Sequence, residues 1–199
     1  MRFYPRRRSR PAMVAVAFAA ALIVVGWALG FAGSVGFPRA QCTVAAAMAE
    51  REYINREYGF AFRYPADWQR QSDSALISLR EPGSTGFPAS VNAALERRAG
   101  VSARQYAEAS AQTVSSGLVR GLGDFRPEGA GAPGALPGAD SWVIRFSCYS
   151  SELRERVYFH QLTVVRGEHV IVLTAACLNS RRTQSASVLD KVISSFRLM

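Results

Sequence analysis

The sequence predicts an α+β domain built on an antiparallel sheet and preceded by an apolar N-terminal segment. Three observations carry this. Tyr58, Phe60 and Phe62 alternate with Gly59, Ala61 and Arg63, the period of a half-buried strand. Strand-like stretches follow one another through short turns in the order β-β-β-α-β-β-β-β-α, whereas a parallel sheet needs helices between its strands. Val188, Leu189, Val192, Ile193 and Phe196 form a stripe of helical spacing, the pattern of a closing helix laid on a sheet.

The apolar segment comes first. Arg2, Arg6, Arg7, Arg8 and Arg10 make residues 1–10 a basic tail, and nothing between Arg10 and Arg39 is ionisable at neutral pH. About 20 apolar residues, each rising about 1.5 Å, span a bilayer as a helix. Residues 11–37 are long enough, and longer than the usual signal-peptide core of about 7–15 residues. The expectation is an uncleaved single-pass transmembrane anchor. Small-x-small sites at Gly30-Phe31-Ala32 and Ala32-Gly33-Ser34 keep cleavage and secretion as the alternative. Pro38-Arg39-Ala40-Gln41 before Cys42 does not suit a lipoprotein signal. Positive charge is retained in the cytoplasm, so the tail lies inside the cell membrane and residues 38–199 outside it. Residues 38–52 read as a spacer with some helical character, and 53–199 as the extracytoplasmic domain.

The chain carries 24 basic and 15 acidic side chains, a net charge of +9. Five of those charges belong to the N-terminal arginines, and the rest are spread along the chain. A nucleic-acid partner is therefore not expected, because such surfaces mass their charge on one face.

The elements follow in order. Pro65 closes the aromatic strand, since it cannot donate to the ladder, and Trp68 folds back on the same core. Tyr58, Phe60, Phe62 and Trp68 are thus read as structural aromatics; the competing reading is an aromatic ligand platform, with Tyr64 as its exposed member. Residues 75–79 read as a second strand, 81–89 as a turn-rich loop and 90–97 as a third strand. Ser102-Ala103-Arg104-Gln105 has the form of a capping box and opens a helix to about Gly117, with Tyr106, Ala109, Val114 and Leu118 near one face. A short strand around Asp124-Phe125-Arg126 precedes a Gly/Ala/Pro-rich loop at 128–140. Strands follow at 141–148, 155–165 and 168–176, with Arg166-Gly167 as a two-residue hairpin turn. Apolar residues on both faces of these strands call for helices on both sides.

The spacing of reactive residues points away from catalysis. With the turn at 166–167, His160 faces Leu173 and His169 faces Val164, four residues and about 13 Å apart along the ladder, too far for one metal ion. Neither histidine has an obvious acid partner. No Gly-x-Ser-x-Gly elbow, phosphate loop or complete dinucleotide fingerprint occurs. Cys42, Cys148 and Cys177 are an odd set. Cys148 and Cys177 end two strands at one edge, a possible disulfide. The same register puts Arg156 opposite Cys177 and Cys148 one strand further out, about 9.5 Å away and beyond a disulfide's usual Cα separation. Two free buried cysteines are the other reading.

YGFAFRYPADW at 58–68, GALPGADSWVIRF at 134–146, YFHQLTVVRGEHVIVLTAAC at 158–177 and VLDKVISSFRL at 188–198 together resemble the PsbP-like superfamily, which includes PsbP, bacterial DcrB-type proteins and mycobacterial LpqN-type lipoproteins. The resemblance spans most of residues 53–199. It implies an α/β/α sandwich around an antiparallel sheet and an accessory role outside the membrane, without catalysis, cofactor or metal. The leading expectation is an anchored domain that engages an envelope protein or component through the loops at 81–89 and 128–140. A small-molecule or lipid carrier with a pocket between sheet and helix is the alternative. A hydrolase would require Ser, His and Asp to converge in the fold.

Overall fold

The computed structural model describes residues 49–72, 75–83, 86–117 and 121–199. The basic tail, the apolar segment at 11–37 and Cys42 lie outside them. Among the described residues no helix is long and apolar enough to cross a membrane.

The order of elements is β1 (Glu50–Asn55), β2 (Phe60–Pro65), β3 (Gln69–Gln71), β4 (Ile77–Arg80), β5 (Ser90–Arg97), α1 (Ala103–Ser115), β6 (Leu122–Pro127), β7 (Ala132–Pro133), β8 (Asp140–Ser150), β9 (Glu155–Arg166), β10 (His169–Leu178), a 3-10 turn (Asn179–Arg181), α2 (Arg182–Ser194) and β11 (Arg197–Leu198). The large sheet runs β3-β4-β5-β10-β9-β8-β6, with β7 paired to β8, and β1-β2-β11 form a small separate sheet. The pairings are antiparallel. This is the α+β class with an antiparallel sheet that the sequence predicts.

Alternation of side chains assigns the two faces of the large sheet. Tyr158, Leu162 and Val164 of β9 share one face with Ile171, Leu173 and Cys177 of β10, and pack against Phe60 and Phe62 of β2 and Leu189, Val192 and Ile193 of α2. Val157, Phe159 and Ala176 point the other way, onto Ala107 and Val114 of α1. A smaller group on this second side gathers Ala94, Val170 and Val172 under Tyr106. The helices therefore cover opposite faces.

The capping box forms as the sequence requires. Gln105 N donates to Ser102 Oγ (3.2 Å) and Ser102 N to Gln105 Oε1 (3.0 Å). Asp140, at the start of β8, adds a carboxylate that accepts from Ala103 N at 2.8 Å, a favourable charge at a helix N-terminus. The α1 entry is thus tied both locally and to the large sheet.

Several elements depart from the sequence reading. β1 begins at Glu50, inside the stretch read as spacer, and pairs with β2. Its first three residues are exposed, and only Tyr53 reaches the core, with ring centroids 5.9 Å from Phe60 and 5.4 Å from Phe62. A polar edge strand of this kind carries little apolar alternation to reveal it. β3 and β7 are too short to show a period.

The β9–β10 turn is Gly167-Glu168, one residue beyond the Arg166-Gly167 turn expected. Arg166 stays in the ladder opposite His169, and Gly167 takes φ 60°. A II′-type hairpin sets glycine at its first central position, so the glycine leads the turn and does not close it. Every partner along the ladder shifts accordingly. His160 faces Ala175, His169 faces Arg166 and Cys177 faces Tyr158.

Candidate functional site

At one end of the large sheet the β1–β2 turn, the β9–β10 turn and Met199 border an open cavity of about 610 Å³. Its lining includes Arg56, Glu57, Tyr58, Gly59, Arg166, His169 and Ile171. Local chemistry builds the first rim. Asn55 Oδ1 accepts from Tyr58 N at 3.0 Å, a side-chain turn that reverses the chain, and Gly59 completes it at φ 64°. Arg166 then joins the two turns. Its Nη1 donates to the carbonyls of Tyr58 (3.2 Å) and Gly59 (2.8 Å), and its Nη2 to a main-chain oxygen of Met199 (3.2 Å). Met199 N in turn donates to Gly59 O at 2.9 Å.

The cavity carries Arg56, Glu57 and Tyr58 on one rim and Arg166 and His169 on the other. Arg166, His169 and Arg97 are successive cross-strand partners on β9, β10 and β5, so two guanidiniums flank one imidazole in a single row. Arg97 is paired with Glu168 at 2.6 Å. Arg166 engages main-chain oxygens of Tyr58, Gly59 and Met199, and Arg56, exposed on the facing rim, makes no ion pair among the described residues. The Tyr58 ring packs on His169 at 5.6 Å. A hydrogen bond to Glu57 raises the pKa of the Tyr58 phenol, with lesser contributions from desolvation and the same carboxylate's charge.

The structure gives His160 an acid partner that sequence proximity does not suggest. Its Nδ1 lies 2.7 Å from Asp190 Oδ1 on α2. The contact is close without good hydrogen-bond alignment, and Nε2 is buried with no partner among the described residues. His160 is 3% exposed while the Asp190 side chain is 50% exposed, and among the described residues no serine is hydrogen-bonded to the imidazole. The contact joins β9 to α2, whose Leu189, Val192 and Ile193 pack on the same face of the sheet. His160 and His169 are not brought together: they lie six residues apart along the ladder, about 20 Å.

Phe60, Phe62 and Trp68 are buried, and Phe60 stacks on Phe196 at 5.4 Å. Tyr58 sits in the turn ahead of β2, half-buried at the edge of that core and lining the cavity. Cys148 and Cys177 are both free and buried. They stand opposite Val157 and Tyr158, adjacent residues of β9, and so point to opposite faces of the sheet. That geometry corrects the possible disulfide. Burial raises the Cys148 thiol to about 12 and the Cys177 thiol to about 11.

The two loops read as contact regions take part in the fold. Phe87 and Ala89 of the 81–89 loop are core residues. In the 128–140 loop, Leu136 and Ala139 pack on the main core, and Glu128 binds Arg182 through two contacts of 2.6 and 2.7 Å. Low apolar content overall concealed these few anchoring side chains. Among the described residues no group of three His, Cys, Asp or Glu is placed to hold a metal ion.

No family model matches the chain, and no curated protein matches it. Solved structures do. The cyanobacterial PsbP protein CyanoP of Synechocystis superposes with a TM-score of 0.57 at 12% identity, over 80% of this chain and 98% of that one. LpqN of Mycobacterium tuberculosis, a protein involved in cell envelope biogenesis, superposes with a TM-score of 0.54 at 18% identity, over 76% of this chain and 91% of that one. The chain has the fold of the PsbP-like superfamily.

Proposed function

We propose that this chain is a membrane-anchored extracytoplasmic binding domain that acts without catalysis on an envelope protein or component. The observation that carries the reading is the cavity face, where two turns and Met199 are stitched by Arg166 and present Arg56, Tyr58 and His169 to solvent. Rigidly held turns at the end of a sheet are suited to recognition. The apolar stretch at 11–37 after five arginines supports an anchor with the domain outside, and the likeness to LpqN, involved in envelope biogenesis, is consistent with that compartment.

Two experiments test it. Protease added to intact spheroplasts should degrade residues 49–199; full protection would place the domain in the cytoplasm and end the proposal. Crosslinking of the tagged full-length protein in its own membrane should recover one dominant envelope protein. Its crosslinks should map to residues 56–59 and 166–169, and Arg56→Glu should abolish them. Recovery of the chain alone would count against a protein partner.

A second reading is a small-molecule carrier. The core between the sheet and α2 is filled by side chains, so such a ligand belongs in the cavity at the sheet end and not between the layers.

A further inference from the structure

We propose that β1 is a self-association edge, through which two copies of this chain pair their β1 strands antiparallel about a two-fold axis at Tyr53 and join their small sheets into one. Among the described residues β1 pairs with β2 alone and stands at the edge of its sheet. An edge strand presents a row of main-chain N–H and C=O groups that a further strand can take up. Glu50, Arg51, Glu52 and Ile54 are exposed along it. Ile54, at 44% exposure, is among the few large apolar side chains that the described residues leave open to solvent.

A charged edge ordinarily repels another strand. Here the charges alternate in sign, Glu50-Arg51-Glu52 and then Arg56-Glu57, and an alternating edge can complement itself. A two-fold axis normal to the sheet sets residues of one face opposite each other. Like charges directly opposite are destabilising and unlike charges stabilising, so the possible centres can be ranked. With the axis at Arg51, that guanidinium faces its own copy and Glu50 faces Glu52 of the second chain. With the axis at Glu52, the carboxylate faces itself. With the axis at Ile54, only residues 53–55 of the two strands overlap, because β1 ends at Asn55.

With the axis at Tyr53 the strands overlap over 51–55 and no like charges meet. Tyr53 faces its own copy, an aromatic pair of the kind that stabilises neighbouring strands, and Arg51 faces Asn55. Glu52 faces Ile54, so the two Ile54 side chains become diagonal neighbours and shield one another from water. Just past the overlap at each end, Glu50 faces Arg56 of the other chain. Arg56 makes no ion pair among the described residues, and Glu50 has only a loose one of 3.9 Å with Arg63. Glu52 keeps its own partner, Arg197 at 2.9 Å. The second copy thus supplies a partner for Arg56 and cover for Ile54 in one register.

The test is sedimentation velocity of the full-length protein in density-matched neutral detergent over a concentration series. A monomer–dimer equilibrium is expected, weakened about tenfold by Glu50→Arg or by Arg56→Glu, each of which sets like charges opposite at both ends of the pairing. An equimolar mixture of the two variants should recover the parent affinity, because residues 50 and 56 then meet as unlike charges between the chains. Recovery in the mixture also shows that both variants are folded. In a Cys42→Ser background, oxidation should link Glu52→Cys chains to Ile54→Cys chains more readily than it links either variant to itself. The proposal is overturned by a protein that stays monomeric throughout the series, by a dimer that both single variants leave unchanged, or by a mixture that associates no more tightly than its components.

Discussion

His160 Nδ1 on β9 lies 2.7 Å from Asp190 Oδ1 on α2, a link between the centre of the large sheet and the helix that covers it. The two ends of this contact differ in surroundings. His160 is 3% exposed, whereas the Asp190 side chain is 50% exposed. Arg145, the cross-strand partner of His160, reaches the same carboxylate at 3.9 Å. Burial lowers the His160 pKa from 6.5, Arg145 lowers it further, and Asp190 opposes both. Desolvation outweighs the attraction, so the imidazole is held neutral.

This sets the sign of a pH dependence. Below pH 6.5 the unfolded chain binds a proton at His160 that the folded protein does not, so the stabilisation present above that pH is lost as pH falls towards the folded pKa. One such group contributes a slope of at most about 1.4 kcal/mol per pH unit. Urea unfolding at pH 7.5 and 5.5 should show a larger acid loss in the parent than in His160→Gln. Equal losses would show that His160 is not the group responsible.

The cysteines should behave as buried thiols on separate faces of the sheet. In a Cys42→Ser background, a thiol reagent should modify Cys148 and Cys177 slowly in the native protein and rapidly after denaturation, because only the thiolate reacts and burial suppresses it. Non-reducing peptide mapping should find both unpaired. A Cys148–Cys177 cross-linked peptide would contradict the register of β8, β9 and β10.

Phe60 and Phe62 should dominate the stability of the small sheet. Both are fully buried between β2 and the α2 layer, and Phe→Ala in such a setting costs about 3–5 kcal/mol. Tyr58→Ala, at a half-buried turn position, should cost about 1 kcal/mol, within the ordinary range for point mutations. Chemical denaturation of the three variants would separate them; a Tyr58→Ala loss as large as that of Phe60→Ala would make Tyr58 part of the inner core.

Gly59→Ala probes the cavity rim. The residue sits at φ 64°, where a side chain costs about 1–2 kcal/mol, and a Cβ there meets the Arg166 guanidinium. The variant should lose about that much stability. It should also disturb the Tyr58 and Gly59 carbonyl contacts of Arg166, visible as backbone amide shifts at residues 58–59 and 199 in NMR spectra. Unchanged spectra with unchanged stability would refute the role assigned to this junction.

What the sequence determined by itself is local. The aromatic alternation of β2, the capping box at Ser102, the strand Ser90–Arg97 and the apolar stripe of α2 are each written within one segment, because period and capping depend on neighbours a few residues away. Tertiary structure decided how those segments meet. A one-residue displacement of the β9–β10 turn moved each cross-strand partner by two positions, which is why the ladder partners of His160, His169 and Cys177 were misassigned from the sequence. The faces of Cys148 and Cys177 follow from combining two registers across three strands. Asp190 reaches His160 only because α2 packs back over β9. The cavity has no signature in the chain, since Arg56, Tyr58, Arg166 and His169 come together through contacts between distant turns, and long-range packing sets those contacts.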